Sequence, residues 1–87
     1  MTREAIANAV VDAISTVMEI APASIGEDAR LAQDLGADSI ALVQIADLVE
    51  GQCESQGSGE LRFDDAELAA LPTVGATIDY LLRQVSA

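Results

Sequence analysis

Aliphatic residues return at helical spacing in three stretches of this chain, and no stretch alternates apolar and polar residues with the period of two that a half-buried strand requires. The pattern predicts an all-α fold. In the first stretch Ile6, Val10, Ile14, Val17 and Met18 share one face while Arg3, Glu4, Asn8, Asp12 and Glu19 take the others, which predicts a helix over residues 3–20 ended by Pro22. A second helix is expected from Asp38 or Ser39 to Glu50, with Leu42, Ile45, Ala46 and Val49 at the i, i+3, i+4, i+7 positions of a core face. The third is VGATIDYLLRQV, capped by Thr73 and packed through Val74, Ile78, Leu81, Leu82 and Val85.

The connections differ in character. Residues 21–37 contain Pro and Gly and no sustained period, so they read as a long ordered loop pinned to the core by Ile25, Leu31 and Leu35. Residues 51–60, GQCESQGSGE, read as a flexible polar loop. Between them and the last helix, DDAELAAL reads as a short helix with acids in its first turn and Pro72 as its stop. The expectation is one domain over residues 1–87, a small four-helix bundle of three main helices and one short one with a long first loop. Phe63 and Tyr80 are its only aromatics, so the core is aliphatic.

Charge and missing residue types then exclude whole classes of function. Fifteen acids against four arginines give a net charge of −11, which repels nucleic acid and anionic membranes and favours basic protein surfaces. No stretch approaches the roughly 20 apolar residues of a membrane span, and the N-terminal stretch lacks the long apolar core of a signal peptide, so the expected location is the cytoplasm. With no histidine and a single cysteine, Cys53, neither an internal disulfide nor a zinc site is expected. No calcium-binding loop pattern occurs. A serine nucleophile needs a base, and the chain has neither histidine nor lysine to serve as one. The adjacent pairs Glu27-Asp28 and Asp64-Asp65 read as partners of helix dipoles rather than acid/base machinery. An enzyme is therefore not expected.

What remains is LGADSIALVQI, residues 35–45, where Asp-Ser opens an apolar helix. Ser39 is either an ordinary cap or the residue that the helix presents. Asp38 can also cap, and if it does the Ser39 hydroxyl is free at a helix N-terminus, a favourable place for a phosphodiester. Beyond it Ile40, Val43, Asp47 and Glu50 form a second stripe, part apolar and part acidic, with Gln44 at its edge. This is the expected partner-binding face.

Asp34, Leu35, Gly36, Asp38, Ser39 and Ile40 match D-L-G-x-D-S followed by Leu or Ile, and TVGATIDYL matches T-V-x-x-x-I-x-Y followed by Ile or Leu. In both, the chain resembles the acyl carrier proteins. The resemblance implies that Ser39 carries a 4′-phosphopantetheine arm, transferred from coenzyme A by a phosphopantetheinyl transferase that also reads Asp38. It further implies a monomeric, non-catalytic carrier whose acyl thioesters are loaded and consumed by a ketosynthase, an acyltransferase or a ligase. The family's second helix usually bears acids where this one has Ala41 and Gln44, while Asp47 stands at an often apolar position and Cys53 where a Phe is common. Cys53 reads as a small buried filler, and Leu31, Leu35, Ile45, Ala46 and Val49 as core residues or the lining of an acyl-chain gap. The departures point toward a polyketide or related secondary-metabolite pathway rather than housekeeping fatty-acid synthesis. An aminoacyl or peptidyl carrier is the alternative within the class, and an unmodified helical interaction module the alternative outside it.

Overall fold

A computed structural model describes residues 2–55, 70–71 and 73–86, with the side chains of 53–55, 85 and 86 outside that description. Among the described residues there are three α-helices, α1 (Arg3–Met18), α2 (Ser39–Ser55) and α3 (Val74–Ser86), a 3-10 turn at Pro22–Ser24, and no strand. The short helix expected over residues 64–71 falls outside the described residues apart from 70 and 71, as do Phe63 and the Asp64-Asp65 pair; the side chain of Cys53 is likewise outside.

Helix α1 is the centre of the bundle, packing against both α2 and α3. Its apolar stripe of Ile6, Val10 and Ile14 is buried, and Ala9 and Ala13 on the same face let the neighbouring helices approach closely. From α2 come Ala41, Leu42, Ile45, Ala46 and Val49, and from α3 Val74, Ile78 and Leu81, all buried in one aliphatic cluster. Leu82 and Tyr80 are half-buried against it. Thr2 caps α1 by accepting from Ala5 N at 3.1 Å.

Two helix ends differ from expectation. α1 stops at Met18, before Pro22, because Glu19 enters the left-handed region at φ 56° and both its N–H and that of Ile20 donate to the Ser15 carbonyl. The Ser15 hydroxyl returns a hydrogen bond of 2.6 Å to the Ile20 carbonyl, locking the turn. Pro22 then opens the 3-10 turn instead of ending the helix. α2 runs on to Ser55, five residues beyond Glu50, where a loop was expected. A glycine ends a helix by adopting positive φ, and among the described glycines only Gly36 does so. Gly51 keeps helical geometry and merely lowers local helix propensity.

The first loop is ordered as expected, with Ile25 and Leu31 buried and Leu35 half-buried. It also holds α3 in place. Val74 N and Gly75 N donate to the Ala29 and Glu27 carbonyls at 2.9 and 2.8 Å, so backbone groups left over at the start of α3 are satisfied by the loop. A Cβ on Gly75 would lie 3.2 Å from Glu27 O, so a side chain there would require the loop to shift by a few tenths of an ångström. Thr73 caps α3 as expected, accepting from Ala76 N at 3.1 Å, and the buried Thr77 hydroxyl donates to the Thr73 carbonyl at 3.0 Å.

Glu27 does not open a helix of its own, but its Oε1 lies 3.2 Å from the Cβ position of Gly75, so its carboxylate stands at the positive N-terminal end of α3. It lies in a turn of the loop and takes two hydrogen bonds from Arg3, at 2.6 and 3.1 Å, while Arg3 Nε donates to Asp79 at 3.1 Å. One arginine thus ties the start of α1 to the loop and to α3. The Arg3 hydrogen bonds hold the Glu27 carboxyl below its ordinary value, and the same bonds, first to Glu27 and then to Asp79, raise the guanidinium further above its own.

Candidate functional site

Each residue of Asp34 to Ser39 has a separate mechanical task. Asp34 Oδ2 accepts from Arg30 N at 2.9 Å, while Asp34 N and Leu35 N donate to the Arg30 carbonyl at 2.9 and 3.1 Å, closing a turn. Leu35 packs against the core. Gly36 reverses the chain at φ +74°, where any side chain is strained even though the space beside it is open. Ala37 is buried and donates to the Leu31 carbonyl at 2.9 Å. Asp38 Oδ1 then accepts from Ala41 N at 2.8 Å, and its carbonyl from Leu42 N at 2.9 Å, so Asp38 is the cap of α2.

With the cap supplied by Asp38, Ser39 is the first residue of α2, exposed, and its hydroxyl has no hydrogen-bond partner among the described residues. The N-terminal end of a helix favours an anion through its dipole and its unpaired N–H groups. These features suit a phosphodiester on Ser39 Oγ: an accessible oxygen, no competing local bond, and a positive helix end beneath it. Among the described residues no group of three or more potential metal ligands occurs, and no helix is long and apolar enough to cross a membrane.

The mixed stripe of α2 lies where its spacing puts it. Ile40 is 70% exposed and Val43 43%, with Asp47 and Gln44 also exposed, while Glu50 is half-buried. Ala41 is buried in the core. Leu31, Ile45, Ala46 and Val49 are packed in the core with Leu35 against it. Sequence reasoning missed Leu48, which is 39% exposed at the flank of the same face. With Gln44 and Asp47 it forms one wall of a groove of about 450 Å³, whose other wall is Thr16, Val17 and Glu19 at the end of α1. Leu48 lies four residues after Gln44, and that spacing was its available signal.

Fold and site together define a small helical domain in which one exposed serine hydroxyl stands at a helix start. Residues 8–81 match a family model described as phosphopantetheine attachment site. The chain is 31% identical over 84 residues to the acyl carrier protein of Thermotoga maritima, covering 97% of this chain and 96% of that one, so the likeness runs nearly end to end. It is 32% identical over 77 residues to the acyl carrier protein of Amoebophilus asiaticus, covering 88% and 89%. The chain belongs to the acyl carrier protein family. Its prosthetic group is 4′-phosphopantetheine, attached covalently.

Proposed function

We propose that Ser39 bears the phosphopantetheine arm and that the domain carries acyl groups as thioesters between enzymes of a polyketide or related secondary-metabolite pathway, without itself catalysing their reactions. One observation carries the assignment of the residue: Asp38, not Ser39, caps α2, which leaves the serine hydroxyl exposed and unengaged. The other two serines whose side chains are described, Ser15 and Ser24, offer less. The Ser15 hydroxyl is spent on the Ile20 carbonyl, and Ser24 closes a three-residue 3-10 turn with no long helix behind it.

The arm supplies a terminal thiol, whose thioester is open to nucleophilic attack and acidic at the α-carbon. The chain's own residues attach, orient and deliver. Asp38 holds the helix start in register for a phosphopantetheinyl transferase, and Ile40, Val43, Gln44, Asp47 and Glu50 form the face met by that transferase and by acyl-loading and condensing enzymes. An apolar centre with charged neighbours gives a transient interface both affinity and orientation. The pathway assignment rests on that face, where Gln44 and Asp47 depart from the family's usual pattern.

The test is intact mass after incubation with coenzyme A, magnesium and a broad-specificity transferase. Wild type gains one phosphopantetheinyl mass and Ser39→Ala gains none. A wild type that gains nothing from several competent transferases overturns the carrier reading, and a variant that still gains the mass moves the site to another serine. Loading of acyl against aminoacyl groups onto the modified protein separates the acyl carrier from a peptidyl carrier.

A further inference from the structure

We propose that the groove between the end of α1 and the flank of α2 is a receptor for an arginine side chain of a partner protein. The groove is lined by Thr16, Val17, Glu19, Gln44, Asp47 and Leu48. Two of these are aliphatic, two are carboxylates, one is a hydroxyl and one an amide, and among the described residues no cation lines the groove. Every polar lining group can accept a hydrogen bond, so the matching occupant is rich in donors and positively charged.

The backbone sharpens the demand. The C-terminal end of a helix carries partial negative charge and is ordinarily met by Lys, Arg or His in its last turn. α1 has no basic residue there. Its end is followed instead by Glu19, held at φ 56°, where glycine or asparagine is the usual occupant. A carboxylate is therefore added where the potential is already negative, and with Asp47 opposite it the groove lacks a cation that the described chain does not provide. Among the described residues no group of three or more potential metal ligands occurs, here or elsewhere.

Arginine fits better than lysine. Its planar fork presents five donors and can reach acceptors on both walls, whereas an ammonium is a compact point charge. Its aliphatic stem would lie over Val17 and Leu48 while the head meets Glu19 and Asp47. The net charge of −11 draws basic surfaces toward the domain, and the groove gives one such residue a defined seat. This places the end of α1 in an interface, beside the exposed Ile40 and Val43 of α2. The groove deepens the partner-face reading of Gln44 and Asp47, but Ser39 is not among its lining residues, so the arginine seat does not depend on the modification.

The experiment uses the full chain, 15N-labelled, titrated with n-butylguanidinium and, as control, n-butylammonium, while amide shifts are followed. The expected result is saturable shifts confined to Thr16, Val17, Glu19, Gln44, Asp47 and Leu48, with the ammonium binding more weakly. In the double variant Glu19→Gln/Asp47→Asn the guanidinium should bind roughly tenfold more weakly, because two charge-assisted acceptors are gone. The melting temperature of that variant should not fall, since both residues are exposed and the domain sheds like charges. Shifts spread over the acidic surface, linear titration without saturation, or unchanged affinity in the double variant overturn the proposal. Groove amides that shift on dilution without any probe would give the groove to a second copy, and an Arg62→Gln variant that binds the probe more tightly would give it to this chain's own arginine. Either outcome overturns the partner assignment.

Discussion

Asp38 and Ser39 are adjacent, polar and both exposed, yet the fold assigns them opposite duties. The side chain of Asp38 closes the first turn of α2 on Ala41 N, and that of Ser39 closes nothing among the described residues. Stability should therefore separate them. Asp38→Ala removes a cap in use and should cost about 1 kcal/mol of unfolding free energy, the usual loss when such a cap becomes alanine. Ser39→Ala should leave urea denaturation almost unchanged. Equal losses in the two variants would mean that the serine shares the capping and is not held free. The same distinction explains what was legible. Asp-Ser before an apolar run announces a helix start, but either residue fits the cap by type, and only the bond to Ala41 N decides between them.

At the scale of the element, α2 divides its residues cleanly. Ala41, Leu42, Ile45, Ala46 and Val49 face the core, and Ile40, Val43, Gln44 and Asp47 face out. Val43→Asp should then keep the helical circular dichroism and melting temperature of wild type while raising the KM of a phosphopantetheinyl transferase for the unmodified protein. A variant that unfolds would show that Val43 supports the fold, and an unchanged KM would remove it from the docking face. The inward face was readable because burial imposes the 3.6-residue period. The ends of elements were less so. Nothing in the residue type of Glu19 marks a left-handed terminus, and Gly51 looks like a stop although its backbone stays helical. The groove was hidden for a different reason, since its walls come from two helices whose crossing no single-helix pattern contains.

For the whole molecule the dominant unfavourable electrostatic term is like charge confined in a small volume. The chain carries fifteen acids and four arginines, and the folded body measures 30 × 25 × 19 Å, only about two or three Debye lengths across at 0.1 M salt. Repulsion therefore spans the folded domain and is weaker in the expanded unfolded chain, so adding salt should raise the melting temperature. Arg3 opposes this repulsion locally by joining Glu27 and Asp79. Replacing it with glutamine removes an attraction that salt would also have screened, so Arg3→Gln should melt below wild type at low salt and gain more from salt than wild type does. The pH dependence of that difference has a definite sign. Glu27 is held below its ordinary value by Arg3, so the clasp contributes fully at pH values above the carboxyl's unfolded pKa of about 4.3, and the contribution disappears as pH falls through the depressed folded value. The gap in melting temperature between wild type and Arg3→Gln should thus be constant from neutral pH down to about 5 and close in stronger acid, where the carboxylates take up protons. Scanning calorimetry of both proteins across that range measures it. A gap that persists in strong acid would mean that Arg3 acts through the packing of its stem and not through its pairing with Glu27.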